Sequence, residues 1–120
     1  MRKIFLFIFI FLSFISISFA ENLKFKKITS LNKPWGSSFI SNDEIIITEK
    51  SGKIKIVNIL TSNQKEIEHN LNFLEDGQGG LLDILYKNNF IYISYTEDRG
   101  DRKSSTSIAK AKFNTEKLSK

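Results

Sequence analysis

The residues with the most chemical promise form one run, Asp76-Gly77-Gln78-Gly79-Gly80-Leu81-Leu82-Asp83. A polar, glycine-rich turn there enters an apolar strand. Three glycines around one glutamine let the backbone approach a ligand closely. Gln78 offers both a carbonyl acceptor and an amide donor. The same glycines also suit a plain loop that makes a sharp bend. The run is not a nucleotide motif, because it lacks the Walker lysine–serine pair and the spaced GxGxxG.

Other reactive side chains offer less. His69 is the only histidine, and it stands between Glu68 and Asn70. A general base needs a histidine oriented by a second group. No partner cluster surrounds His69 in the sequence, so a solvated surface histidine is expected. Glu97, Asp98 and Asp101 could suggest a cation site, but Arg99, Arg102 and Lys103 are interleaved with them. A solvated loop is expected there, and the tripeptide Arg99-Gly100-Asp101 carries no weight. Trp35 could stack on a ligand, but the preferred reading is a core aromatic between sheets. No catalytic residue and no metal ligand is assigned.

The elements that must position these residues are strands. Period-two alternation dominates after residue 21, and no long amphipathic helix pattern is present. Strands are expected at Leu23–Thr29, Trp35–Ile40, Glu44–Lys50, Lys53–Leu60, Leu81–Tyr86, Phe90–Thr96 and Thr106–Asn114, with a short edge strand at Gln64–Glu68. Ile45, Ile46 and Ile47 suit a strand buried on both faces. Ser51-Gly52 makes a tight turn in which Gly52 takes a positive φ. His69–Gly80 reads as a looser segment, and Glu97–Ser105 as a polar hairpin loop. Turns at this spacing indicate an all-β meander. A weak repeat, once from Trp35 and again from Leu81, fits propeller blades of four antiparallel strands. About one and a half blades are expected, with faces and edges that a closed ring would cover.

Composition and the amino terminus narrow the class. Arg2 and Lys3, the apolar run Ile4–Ile17 and the small-residue end Ser18-Phe19-Ala20 read as a secretory signal peptide. Cleavage is expected after Ala20, which makes residues 1–20 a signal peptide and residues 21–120 the domain. An uncleaved anchor is the alternative, but a spanning helix needs roughly 20 apolar residues. No stable membrane anchor is expected after cleavage, and the location is periplasmic or secreted. There is no cysteine, so stability rests on burial and strand pairing. The net charge is +5, and Arg2 and Lys3 supply part of it. The lysines alternate with apolar residues, as in Lys53-Ile54-Lys55-Ile56, which is the pattern of a solvated face. No nucleic-acid partner is expected.

Three segments in order carry a family resemblance. They are Pro34-Trp35-Gly36, Thr48-Glu49-Lys50-Ser51-Gly52-Lys53 and Gly77-Gln78-Gly79-Gly80-Leu81-Leu82. Together with Tyr92-Ile93-Ser94-Tyr95, the set resembles the start of a glucose/sorbosone dehydrogenase, the soluble aldose sugar dehydrogenases that use pyrroloquinoline quinone (PQQ). The resemblance covers roughly residues 31 to 114. It implies an all-β fold, the first one to two blades of a six-bladed β-propeller. It also implies quinone and calcium cofactors, an aldose substrate oxidised at its anomeric carbon by hydride transfer, and an external electron acceptor. The family's glutamine in this turn faces sugar and cofactor, and that role falls on Gln78 alone. The family's catalytic histidine, its cofactor-binding cations and its calcium ligands have no counterpart before Lys120, so the fragment by itself is expected to be inactive. The rival reading is a non-enzymatic, NHL-like secreted propeller module that binds or scaffolds.

Overall fold

The computed structural model describes residues 22–113, and every regular element among them is a β-strand. The strands are β1 (Pro34–Phe39), β2 (Glu44–Glu49), β3 (Ile54–Asn58), β4 (Gln64–Ile67), β5 (Leu81–Lys87), β6 (Phe90–Asp98) and β7 (Ser104–Lys112). They form two antiparallel meanders. One sheet has the order β1-β2-β3-β4 and the other β5-β6-β7. Each sheet opens with an irregular strand, shifted between Pro34 and Ser37 in β1 and between Leu81 and Ile84 in β5. The repeat expected from the sequence is therefore present, as one four-stranded blade and one three-stranded blade.

Local chemistry explains the turns. Gly52 has a φ of +100°, and an added Cβ would lie 2.0 Å from the Phe73 ring. Asn88 and Asn89 both take positive φ between β5 and β6. That is a two-residue hairpin turn whose twist matches the strands, and asparagine tolerates it. Asn58 ends β3: its side chain accepts hydrogen bonds from the Leu60 and Thr61 amides. The chain thus leaves the sheet before Leu60, so β3 is shorter than the expected Lys53–Leu60. The β6–β7 loop is also tighter than expected, because the strands pair out to Asp98 and Ser104.

The core lies between the two sheets. Ile46, Ile54 and Ile67 from the first meet Leu81, Ile84, Ile91 and Ile93 from the second. Fully burying each such side chain contributes roughly 1.5–3 kcal/mol. Alternation along β6 sends Ile91, Ile93 and Tyr95 inward. The strand expected at Leu23–Thr29 does not form. The segment is irregular, and Leu23 and Phe25 are exposed. It has apolar alternation but no strand to pair with among the described residues, and an unpaired strand gains nothing from its backbone donors and acceptors. The signal-peptide reading concerns residues outside those described.

Candidate functional site: a polar cleft where the two sheets meet

Thr48, Glu49 and Lys50, at the end of β2, form the joint between the sheets. Thr48 and Glu49 are fully buried. The Thr48 hydroxyl accepts a hydrogen bond from the Gly36 amide at 2.9 Å and donates to the Leu82 carbonyl at 2.5 Å. It therefore ties β1, β2 and β5 together. Glu49 Oε1 accepts from the Asn32 amide at 2.8 Å and lies 3.1 Å from Lys55 Nζ. Its Oε2 is buried with no hydrogen-bond partner among the described residues. The Lys50 amide donates to the Lys33 carbonyl at 3.0 Å, and the Lys50 carbonyl accepts from the Leu81 amide at 3.3 Å. Lys50 Nζ donates to the Gly77 carbonyl.

Glycine makes this contact possible. Gly80 has a φ of +145°, and an added Cβ would stand 2.2 Å from the Lys50 carbonyl oxygen. Gly36 likewise has Asp83 Cα where its Cβ would be, at 2.6 Å. Close approach of two backbones at both points requires the absence of a side chain.

The Gln78 turn grows from this joint. Both its feet are bonded to one residue of β6: the Leu74 amide donates to the Thr96 carbonyl, and the Thr96 amide donates to the Gly80 carbonyl, each at 2.9 Å. Between the feet, the Gly79 amide donates to the Asp76 carbonyl at 2.6 Å. Gln78 is exposed. It lines an open cleft of about 520 Å³ with Trp35, Asp76, Gly79, Leu82, Thr96, Ser104, Ser105 and Thr106. Ser105 Oγ is buried with no partner among the described residues, so it is a hydroxyl with capacity to spare. The lining offers an amide, a carboxylate, several hydroxyls and one indole. Among the described residues, no lysine or arginine lines it.

Comparison with known proteins identifies the chain. The glucose/sorbosone dehydrogenase family pattern matches residues 31–120. The chain belongs to that family. A curated Synechocystis protein of uncharacterised function is 31% identical, over 76% of this chain and 25% of its own length. A solved glucose dehydrogenase superposes with a TM-score of 0.69 at 23% identity, covering 74% of this chain and 30% of that one. The PQQ-bound aldose sugar dehydrogenase of Streptomyces coelicolor gives 0.66 at 22%, covering 76% and 29%. The apo soluble aldose sugar dehydrogenase of Escherichia coli gives 0.66 at 23%, covering 73% and 28%. The fold is thus that of the first blades of a β-propeller. The chain spans about a quarter of the curated relative and under a third of the solved structures.

Within this glucose/sorbosone dehydrogenase segment, the three sequence motifs converge. Pro34-Trp35-Gly36, Thr48-Glu49-Lys50 and the Gln78 turn meet at one joint. Two expectations are corrected. Trp35 is not a core aromatic; it is 49% exposed and forms a wall of the cleft. The shifted register between Pro34 and Ser37 accompanies this departure from the buried position that alternation suggests. His69 is not solvated; it is half-buried. Its Nε2 lies 2.6 Å from the Gly52 carbonyl, and its Nδ1 accepts from the Leu71 amide at 3.2 Å. Those partners require a neutral ring protonated on Nε2. His69 thereby fastens the segment after β4 to the Gly52 turn, well apart from the cleft residues in its contacts. The acidic loop residues form no group of three or more metal-ligating side chains among the described residues. Glu97 instead pairs with Arg99 at 3.0 Å and accepts from the Ser107 hydroxyl. Asp76 stood in the run that the sequence singled out but was given no role there, and Thr96 and Ser104–Thr106 escaped the sequence reading. Asp76 adjoins the glycine turn and gave a local signal, but the others reach the cleft only through strand pairing.

Proposed function

We propose that this chain is a segment of an exported sugar dehydrogenase, and that its own contribution is sugar recognition in the Gln78 cleft. The carrying observation is the lining: Gln78, Asp76 and the hydroxyls of Thr96, Ser104 and Ser105 beside a half-exposed Trp35. A pyranose offers hydroxyls that donate and accept, and an apolar C–H face. An amide and a carboxylate match the hydroxyls, and an indole matches the face. A plain scaffold gives no reason for these groups to share one cleft beside a glycine turn.

The quinone fits this cleft poorly. PQQ carries carboxylates, and a carboxylate-bearing ligand calls for cations or clustered N–H donors. Among the described residues the lining holds no cation, and Asp76 would repel the ligand. We therefore assign quinone and calcium binding, hydride transfer, the catalytic base and the exchange with an external acceptor to parts of the protein beyond the described residues. On this reading the 120-residue chain does not turn over sugar by itself. Export follows from the signal peptide read at residues 1–20, and intact mass of the secreted protein should begin at Glu21.

The test is a titration of the chain with D-glucose, followed by amide NMR. The expected result is saturable shifts at Gln78, Gly79 and Thr96, lost in Gln78→Ala. Shifts absent from the cleft, or unchanged by Gln78→Ala, would sink the assignment.

A further inference from the structure

We infer that Lys50 is the positioning residue of the Gln78 turn, holding the glutamine in the geometry that recognises sugar. The inference rests on the sugar-recognition reading above for its consequence, but not for its structural basis.

Lys50 grips three segments at once. Its amide holds Lys33, two residues before Trp35, and its carbonyl holds Leu81, at the start of β5. Its ammonium group reaches over to the Gly77 carbonyl, the residue before Gln78. The turn's feet are fixed by Thr96, but Glu75 to Gln78 are exposed and lie outside any strand. Two side chains reach this stretch from outside: Lys33 Nζ pairs with Glu75 at 3.2 Å, at its exposed start, and Lys50 holds the Gly77 carbonyl, next to Gln78. Gly77 has a φ of +50°, and Gly80 makes room for the Lys50 stem, with an added Cβ standing 2.8 Å from Lys50 Cγ. Gly80 thus has a specific use: it lets one lysine from the first sheet hold a turn that belongs to the second. A lysine in the cleft lining would serve an anionic ligand. Lys50 lies outside the lining and spends its charge on a carbonyl. A recognition group is only as well placed as the shell that supports it.

The test compares the native chain with Lys50→Met, which keeps the stem and removes the donors, and Lys50→Arg, which restores a donor. Amide hydrogen exchange at Gly79 should rise about five- to tenfold in Lys50→Met, the loss of one hydrogen bond to a charged or neutral group. It should return to within about twofold of native in Lys50→Arg, while the core amides of Ile46 and Ile91 keep their native rates. Trp35 is the only tryptophan, so its emission reports the cleft. Glucose affinity read from it should weaken about five- to tenfold in Lys50→Met and recover in Lys50→Arg. Unchanged Gly79 exchange in Lys50→Met overturns the inference. So does a rise shared equally by Ile46 and Ile91, which would make Lys50 a general stabiliser. A loosened turn with unaltered glucose affinity overturns the positioning role. A native chain whose Trp35 emission ignores glucose counts against the sugar reading instead, and the exchange data then judge the Lys50 tie alone.

Discussion

The joint between the two sheets and the outer end of the β6–β7 hairpin are built from the same residue types. Each has glycine, lysine or arginine, and acidic side chains close in sequence. At the joint, Thr48, Glu49 and Leu81 are fully buried, and their partners come from distant segments. At the hairpin, Arg99 donates to Lys103, Lys103 to Gly100 and Gly100 to the Asp98 side chain, all neighbours along the chain. The Glu97–Arg99 pair there is largely exposed. The difference teaches where information in this chain lies. Charges and glycines that satisfy each other locally make a turn. The same residues that satisfy remote backbone groups make an assembly point, and the cleft forms beside it.

Substitutions sharpen that contrast. Glu49→Ala should have the largest effect, destabilising the chain by about 3–5 kcal/mol, because it strips a buried carboxylate from Lys55 and from the Asn32 amide. Urea denaturation measures it. Gly80→Ala should follow at about 2–3 kcal/mol, since it combines a disfavoured φ with a collision against the Lys50 carbonyl. Cleft-lining residues should also shift in its NMR spectrum. Arg99→Ala, at the hairpin, should change stability by no more than about 0.5 kcal/mol, as an exposed pair does. A cost comparable to that of Glu49→Ala would break the contrast.

The smallest effect is expected from a surface pair and concerns pH. A hydrogen bond from Lys53 to Glu66, with the Glu66 charge added, raises the Lys53 ammonium above its ordinary value of 10.5. A raised folded-state pKa favours the protonated form in the fold. Its contribution is therefore fully present below pH 10.5 and is lost as pH rises through the folded value. The stability difference between native and Lys53→Met should be constant from pH 7 to 9 and fade above pH 10.5. A difference that grew with alkalinity would contradict the pairing.

Much of the fold was legible because strands announce themselves by alternation and turns by composition. The strands expected at Glu44–Lys50 and Phe90–Thr96 are present as Glu44–Glu49 and Phe90–Asp98, the second running two residues into the expected loop. The exception at Leu23–Thr29 is instructive, since apolar alternation there met no partner strand among the described residues. The site was legible only in part. Gln78 stood out through its glycines, and membership of the glucose/sorbosone dehydrogenase family was visible in three ordered motifs. Trp35 was read as core because a large aromatic in a strand usually is. His69 was read as solvated because its partners, the Gly52 carbonyl and the Leu71 amide, are backbone groups that no motif announces.

The sequence by itself determined which segments extend, where they reverse and which residues seek burial, since these depend on near neighbours and side-chain chemistry. It also determined the family, because ordered motifs survive as text. The tertiary structure decided that Thr48, Glu49 and Lys50 would hold Gly36, Asn32 and Gly77, and that Trp35 and Gln78 would line one cleft. The three hydrogen bonds join residues a dozen or more positions apart, each through a backbone amide or carbonyl. Every residue but proline carries the same amide and carbonyl, so only the path of the chain in space determines which of them meet.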